Sequence, residues 1–521
     1  MYSESAGIAR ALPEGVAVPA DADDVAALVR WARERGTPLV ARGSGTSMAG
    51  GAVGRGVLVD LSRLDWIDPL DERERRIRVG PGALRGKVNS RAMTSGLRFP
   101  VDPSSGAFCT VGGMASTNAA GARSLRHGAT RPWVMGLECI FEDGSRAWVR
   151  RGEPAPDVPA VARFLRDVAP RIVAGAAAYA HAGVLKESSG YGLAAYAASR
   201  DLVDLLVGSE GTLVLFVGVE LALTDRAGAT SSLLATFASL ESAVAAAAVA
   251  RASGASACEL LDRTFLDVAE AGFDPLPGAH SAEAVLLAEV EGETRVAAAA
   301  AAHVLERAFR QSGATDVTVA VTTEDERHLW EFRHAASPAL ARLAPALASM
   351  QFIEDGAVPP GNLPEYVRGV RAALARQGIR GVIFGHAGDA HVHVNPLIDT
   401  RQAGWRERIE ALLDEVASLT ARLGGTLAGE HGDGRLRAPL LHRMWPAETL
   451  ELFRDVKHAF DPGGILNPGV KVPLDAQRPI DDVKYDPMLP PLPASARAAL
   501  DRLVRERDYS AFRLSLIPER N

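Results

Sequence analysis

The chain has 521 residues and a net charge of −7; 47% of its residues are apolar and 23% charged. That is the composition of a globular chain long enough for two or three domains, and its acidic balance offers nucleic acid no footprint. The three cysteines, Cys109, Cys139 and Cys258, form no CxxC pair, which excludes a disulfide scaffold, a zinc ribbon and a cysteine-ligated iron–sulfur cluster and makes a reducing cytoplasm the expected compartment.

The opening MYSESAGIARALPEG lacks the basic-then-apolar order of a secretory signal. Asp21 to Gly36 has acids first, an apolar stripe, arginines late and glycine last, which predicts a helix matched to its own dipole. PLVARGSG predicts a strand running into a Gly/Ser-rich loop that lasts to Gly56. GVLVDLSRL, RIRVGPG and GLECIFEDGSRAWVR predict further strands, the last folded at a hairpin turn over Glu142–Ser145. A second small-residue loop spans Pro103 to Gly121. Leu202 to Thr224 reads as a helix end, a tight turn and a long strand, after which a boundary falls near Asp225–Ala229.

Beyond that boundary, strands near 231–237, 285–291 and 315–321 alternate with helices near 240–253 and 294–312. The rhythm predicts an α+β domain with helices on one face of a sheet. The Ala-rich runs at Ala243–Ala250 and Val296–Leu305 are too short to span a bilayer and read as buried helix faces. VIFGHAGDAHVHVNP, from Val382 to Pro396, predicts strand, glycine turn, strand. A long amphipathic helix follows, then GEHGDG at Gly429–Gly434, then a Pro-rich stretch from about Pro473 to Pro493 and a short terminal helix.

ARGSGTSMAGG is not a dinucleotide fingerprint of the Rossmann kind. Gly43-x-Gly45 is followed by Met48, no helix opens there, and no GK[ST] is present. Its backbone N–H groups and hydroxyls suit either an anion nest for a diphosphate or a plain surface loop. The second loop favours a long, extended cofactor. Together, RGSGTS, PSSGAFCTVGGMASTNAAG and GSEGTL resemble the FAD-binding domain of the PCMH, or vanillyl-alcohol oxidase, type. The resemblance implies a two-lobed domain. In it, Arg42, Gly43, Ser44, Gly45, Thr46 and Ser47 bind the pyrophosphate. Pro103, Ser104, Gly112, Gly113, Ser116, Asn118 and Gly121 line the isoalloxazine and ribityl chain, and Glu210, Gly211 and Asn467 add contacts. The first loop has no His, so non-covalent FAD is expected.

His386, His391, His393, Glu430 and His431 are candidate ligands or bases in two stretches. Strand alternation puts His391, His393 and Asn395 on one face, with His386 across the Gly388–Asp389 turn. Two imidazoles and one carboxylate make an open three-ligand site, the pattern of a catalytic divalent metal. Three His within eight residues, with Glu-His downstream, outweigh the reading of each as structural.

GHAGDAHVHVN and GEHGDG resemble the two C-terminal signatures of the FAD-linked D-2-hydroxyacid dehydrogenases, which include D-lactate dehydrogenases, the catalytic subunit of glycolate oxidase and D-2-hydroxyglutarate dehydrogenases. The resemblance runs from about Leu12 to Lys471 and implies oxidation of a D-2-hydroxy acid to the 2-oxo acid. By position, His386, His393 and Glu430 hold the metal, Zn first with Mn or Fe as alternatives. His431 is the general base and Asn395 meets the substrate. Arg333, in LWEFRHAAS with Trp330, forks onto the substrate carboxylate. Phe352, Ile353 and Ser337 are expected to set substrate length.

Three departures stand out: Ala390-His391 where the family reads Gly-Asn, no Lys within MQFIEDGAVPP, and one residue inserted before Lys471 in ILNPGVK. The implied fold is α+β: a two-lobed FAD domain over 1–225, then a cap domain with an antiparallel sheet over 226–472. The last segment of the cap, from about 425, returns to the flavin, and a tail over 473–521 reads as a strap. Electrons then pass to an iron–sulfur partner, an electron-transfer flavoprotein, a quinone or a cytochrome. A homodimer, and attachment to the inner membrane through a partner, are further expectations. The start is slightly short for the family, so the true N-terminus is expected upstream. The competing readings are an alcohol or sugar oxidase on the same fold, and a flavin-binding accessory subunit of an oxidase complex.

Overall fold

The structure is a computed structural model that describes residues 1–175, 179–270, 276, 278–320, 322–334, 347–481 and 483–506. Its first half holds two small sheets and a two-stranded ribbon that pairs Leu97–Arg98 with Thr224–Asp225. Strands β1 (Gly15–Ala17), β2 (Leu39–Arg42) and β3 (Val57–Asp60) pair in parallel in the order β1-β3-β2. Helix Ala22–Arg35 covers them. The Asp21 carboxylate caps its start by accepting from Asp23 and Asp24 N–H, and Gly36 ends it at φ 62°. Strands β4 (Arg76–Val79), β5 (Val134–Ile140), β6 (Arg146–Arg150) and β7 (Leu215–Ala222) form an antiparallel sheet in the order β4-β7-β5-β6. The β5–β6 connection is the hairpin expected at Glu142–Ser145, with Gly144 at φ 78°.

The second half is built on one large antiparallel sheet of β8 (Ala229–Phe237), β9 (Ala257–Asp262), β10 (Ala284–Gly292), β11 (Asp316–Val319), β12 (Ala348–Ser349), β13 (Gly356–Ala357), β14 (Arg380–Gly385) and β15 (His391–Ile398). The order is β11-β8-β10-β9-β14-β15-β12, and β13 also pairs with β15. Period-two alternation sorts the side chains to two faces. Leu233, Ala235, Leu260, Leu286 and Val394 join one apolar cluster, packed with helices Leu240–Ala252, Arg295–Gln311, Leu363–Arg376 and Trp405–Arg422. Leu234, Leu261, Leu287, Phe384 and Leu397 join another, covered by helices Arg263–Glu270 and Thr323–His334. This corrects the expectation of helices on one face only.

The last segment returns to the first half. Helix Ala447–Phe460 sends Phe453, Val456 and Phe460 into the apolar cluster of the β4–β7 sheet. Leu39 N–H donates to the Ile465 carbonyl and Asn467 N–H to that of Leu39, extending the β2 edge. The tail then crosses the N-terminal segment: Lys484 N–H donates to the Ile8 carbonyl, and the Arg10 guanidinium to that of Pro490. Among the described residues no helix is long and apolar enough to cross a membrane. All three cysteines are free and buried.

Candidate active site

The site forms on the sheet face that carries Phe384 and Leu397, where β9, β14 and β15 run side by side. All six residues of β9 are buried, and Glu259 is the charge in its middle. A carboxylate there needs partners, because burying an unpaired charge is very costly. Arg333, from the helix over this face, sets Nε and Nη2 at 2.7 and 2.6 Å from Glu259 Oε2. His386 Nδ1 lies 2.6 Å from Glu259 Oε1. The chain turns after His386 and re-enters the sheet through Ala390, whose φ of 55° is a conformation glycine adopts more readily. Alternation along β15 then brings His393 and Asn395 to the same face as Glu259.

The GEHGDG loop closes over these groups. Asp355 fixes it by accepting from His431 N–H at 2.9 Å and Glu430 N–H at 3.2 Å. Gly434, at φ 53°, lets the loop lie on the first glycine loop, where a Cβ would come within 1.9 Å of the Ala49 carbonyl oxygen. Three imidazole nitrogens converge on one oxygen: Nε2 of His386, His393 and His431 lie 3.2, 3.4 and 3.6 Å from Glu430 Oε1. Lys186 Nζ takes the other oxygen at 3.0 Å. Nitrogen and oxygen ligands bound at roughly 2.0–2.2 Å from one cation stand about 3–3.5 Å apart, so His386, His393 and Glu430 already have the spacing of a ligand set. One donor atom from each of His386, His391, His393 and Glu430 lies within 4.8 Å of the others.

The electrostatics suit a cation. Burial raises the Glu430 pKa, but Lys186 and His386 outweigh it and hold the carboxyl well below its usual range. Burial lowers the basicity of His386, but Glu259 reverses that and pushes the ring up to about 9. Burial likewise works against Glu354 as an anion, yet Arg437 and His431 hold it down at about 2. Burial is the largest cause that lowers the His393 pKa below its ordinary value, with His386 and His431 adding to it and Glu430 opposing. His431 stacks on His393, with ring centroids 5.3 Å apart. Its Nδ1 lies 3.2 Å from Glu354 Oε1, and its side chain is 24% exposed. Burial lowers its pKa, but Asp355, Glu354 and Glu430 raise it above the ordinary value. Asn395 Oδ1 is buried without a hydrogen-bond partner.

The cofactor candidates gather from four distant stretches. Thr110 caps helix Val111–Thr117 by accepting from Gly113 N–H, and a Cβ on Gly43 would lie 2.2 Å from the same hydroxyl. Gly112 and Gly121 would collide with Pro81 and Asp102 if they carried a Cβ. Glu210 N–H donates to the Ser116 carbonyl, and Asn118 Oδ1 accepts from Arg131 N–H. Pro103 opens a turn closed by Gly106 N–H, leaving Ser104 exposed. Ser44 is buried, Thr46 half-buried, and Ser47 Oγ accepts from Gly51 N–H. Gly211, at φ 70°, packs on Ala41. Ser209 Oγ is buried without a partner. Small residues in tight mutual contact, with an unsatisfied hydroxyl among them, fit a cofactor cradle.

Some residues stand differently from the expectation. The Arg42 guanidinium folds back onto the Glu4 and Ala52 carbonyls and over Tyr2, rather than reaching outward. Glu210 accepts from Asp433 N–H and pairs with Lys471, and Asn467 donates to the Gly51 and Glu210 carbonyls, so both side chains knit loops together. Arg333 is committed to Glu259. Trp330 donates to Ser232 Oγ beneath Arg123. Phe352 and Ile353 lie inside the apolar core, and Ser337 is outside the described residues.

Sequence reasoning missed Glu259, Lys186, Glu354, Asp355 and Arg437. A lone charge inside ACELLD and a doubled acid after an apolar pair in QFIED were the available signals. Arg437 is fully buried, paired with both Glu354 and Asp355 and donating to the Gly432 carbonyl.

Residues 13–150 match an FAD binding domain and residues 227–470 the C-terminal domain of FAD linked oxidases. The glycolate oxidase subunit GlcD of Bacillus subtilis (strain 168) is 30% identical over 473 residues, 90% of this chain and 91% of that protein. The D-lactate dehydrogenase of Archaeoglobus fulgidus is 30% identical over 459 residues, covering 87% and 90%. The D-2-hydroxyglutarate dehydrogenase of Xanthomonas citri pv. viticola is 29% identical over 468 residues, covering 88% and 89%. Among solved structures, p-cresol methylhydroxylase with substrate bound superposes with a TM-score of 0.67 at 13% identity, over 91% of this chain and 92% of that one. The 4-ethylphenol oxidase of Gulosibacter chungangensis gives 0.65 at 15% identity, over 88% and 89%.

Proposed function

Because the chain belongs to the FAD-linked oxidases, with their FAD-binding and C-terminal domains in order, we propose that it oxidises a D-2-hydroxy acid to the 2-oxo acid at the Glu430 cluster. The observation that carries this reading is the convergence of three imidazole nitrogens on Glu430 Oε1, one of them on the partly open ring of His431. When bound, a divalent cation held by His386, His393 and Glu430 supplies Lewis-acid polarisation of the substrate, and non-covalent FAD takes up the two electrons.

The protein does the rest. Glu354 and Asp355 draw on His431 Nδ1, which leaves Nε2 to accept the hydroxyl proton. A well-placed base contributes roughly 10²–10⁴-fold. Asn395, on the same strand face as His393 and with its buried Oδ1 unpartnered, contacts the substrate. Arg333 holds Glu259, and Glu259 holds the His386 N–H, so the arginine orients a ligand through its carboxylate. Lys186 keeps Glu430 ionised and leaves Oε1 to the imidazoles. The relatives support this substrate class by their names: glycolate, D-lactate and D-2-hydroxyglutarate are all 2-hydroxy acids.

Anaerobic bleaching of the bound flavin by glycolate, D- and L-lactate, D-2-hydroxyglutarate and D-malate, before and after chelation, tests the reading. Bleaching by a D-acid that chelation abolishes is the expected result. Bound flavin that no acid bleaches would overturn it.

A further inference from the structure

His391 has no part in the mechanism above, yet it stands inside the cluster. Its ring centroid is 5.4 Å from that of His386 and 4.8 Å from that of His393. It is 0% exposed. Its Nε2 lies 2.8 Å from Asp355 Oδ1, and its Nδ1 has no hydrogen-bond partner. An orphaned ring nitrogen at zero exposure is an expensive feature unless something else satisfies it.

The three rings share one arrangement. In each, one nitrogen is held by an acceptor outside the cluster: His386 Nδ1 by Glu259, His393 Nδ1 by the Glu354 carbonyl, and His391 Nε2 by Asp355. That is how a metal-binding histidine is usually oriented, with its N–H on a carboxylate or carbonyl and the opposite nitrogen left as a lone pair for the ion. In His386 and His393 the opposite nitrogen, Nε2, is the one near Glu430. In His391 the opposite nitrogen is the orphaned Nδ1. Asp355 is itself anchored by His431 N–H, Glu430 N–H and Arg437, so the ring has a fixed support.

Building on the cation site proposed above, we infer that His391 is a fourth protein ligand, through Nδ1, in a set of three imidazoles and one carboxylate. One donor atom from each of the four residues lies within 4.8 Å of the others, close to the roughly 4.4 Å between opposite ligands bound at 2.2 Å, and Nδ1 is the His391 nitrogen that Asp355 does not engage. The fourth ligand changes which ion the site suits. Four protein ligands close a tetrahedral zinc site, whereas a six-coordinate ion keeps two positions for the hydroxyl and carboxylate of one substrate. The site therefore favours an ion of the Mn²⁺ or Fe²⁺ kind.

The test is proton NMR of the holoprotein stripped of its metal and reloaded with Co²⁺. Each coordinated imidazole contributes one strongly shifted N–H resonance that disappears in D₂O. Three such resonances are expected in the unmutated protein and two in His391→Asn, whose affinity for Co²⁺ in competition with a chelator should fall by about 10-fold or more. Two resonances in the unmutated protein, with Co²⁺ stoichiometrically bound, would overturn the assignment of His391 and leave the cation site standing. No bound Co²⁺ would overturn the cation site itself. The count on the unmutated protein decides the matter even if the variant does not fold.

Discussion

Lys186 Nζ lies 3.0 Å from Glu430 Oε2, both side chains buried, in an ion pair that joins the first half of the chain to the second. Glu430 thus divides its oxygens: one faces a lysine from the first half, the other faces the imidazoles of the second. The ligands themselves all come from the second half, but the lysine that aims Glu430 is in place only when the two halves are docked.

Replacing that lysine removes the group that aims the carboxylate. Lys186→Met should weaken metal binding by about 10–100-fold, the usual effect of losing a group that orients a ligand. Titration against a competing chelator measures it. Unchanged affinity would mean that Glu430 is positioned by the histidines alone.

Arg437 supports the same loop from behind, where it is enclosed with Glu354 and Asp355. Arg437→Met strands two buried carboxylates, and breaking a buried pair in this way costs about 3–5 kcal/mol. Arg437→Lys should recover little, because an ammonium cannot reproduce the forked contacts to Glu354, Asp355 and the Gly432 carbonyl. Thermal unfolding of the two variants checks this. A lysine variant as stable as the parent would show that charge alone is needed.

Asp262 ends β9, three residues after Glu259. Burial pushes its carboxyl up to about 7, against hydrogen bonds from Phe265 and Ile383 N–H. In the unfolded chain the group titrates near ~3.9. Between those values the folded protein keeps a proton that the unfolded chain releases. Its contribution to stability therefore falls as pH rises from about 4 to 7, and the penalty is complete above pH 7. Asp262→Asn keeps an acceptor for Phe265 N–H and removes the penalty. It should unfold at a higher temperature than the parent at pH 8, with the gap closing toward pH 4. Parallel pH profiles for the two proteins would contradict this.

Much of the site was legible because a strand has period two. HVHVN alone places His393 and Asn395 together, and the glycine turn before it brings back His386. The partners that make the cluster a site were not legible in the same way. Glu259, Lys186 and Asp355 act across 127, 244 and 36 residues of chain, and the Lys186 pairing also needs the two halves docked. Glu259 also sits in a strand the sequence reading passed over, since ACELLD is too short to separate from its flanks by periodicity. Phe352 and Ile353 show the opposite difficulty. An apolar pair next to buried acids lines a pocket or fills a core equally well, and here it fills the core. Arg42 was read from its loop alone, and the N-terminal carbonyl it bonds lies 38 residues away.

The most direct test of the central claim is the rate of anaerobic flavin reduction by the best D-2-hydroxy acid in His431→Asn, in protein shown to retain its flavin and metal. His431 is the most open of the clustered imidazoles and holds no cofactor in this account. The rate should fall by roughly 10²–10⁴-fold, with cofactor content unchanged. A variant that reduces its flavin at the parental rate would show that the hydroxyl proton leaves by another route and that the convergence on Glu430 serves some other chemistry.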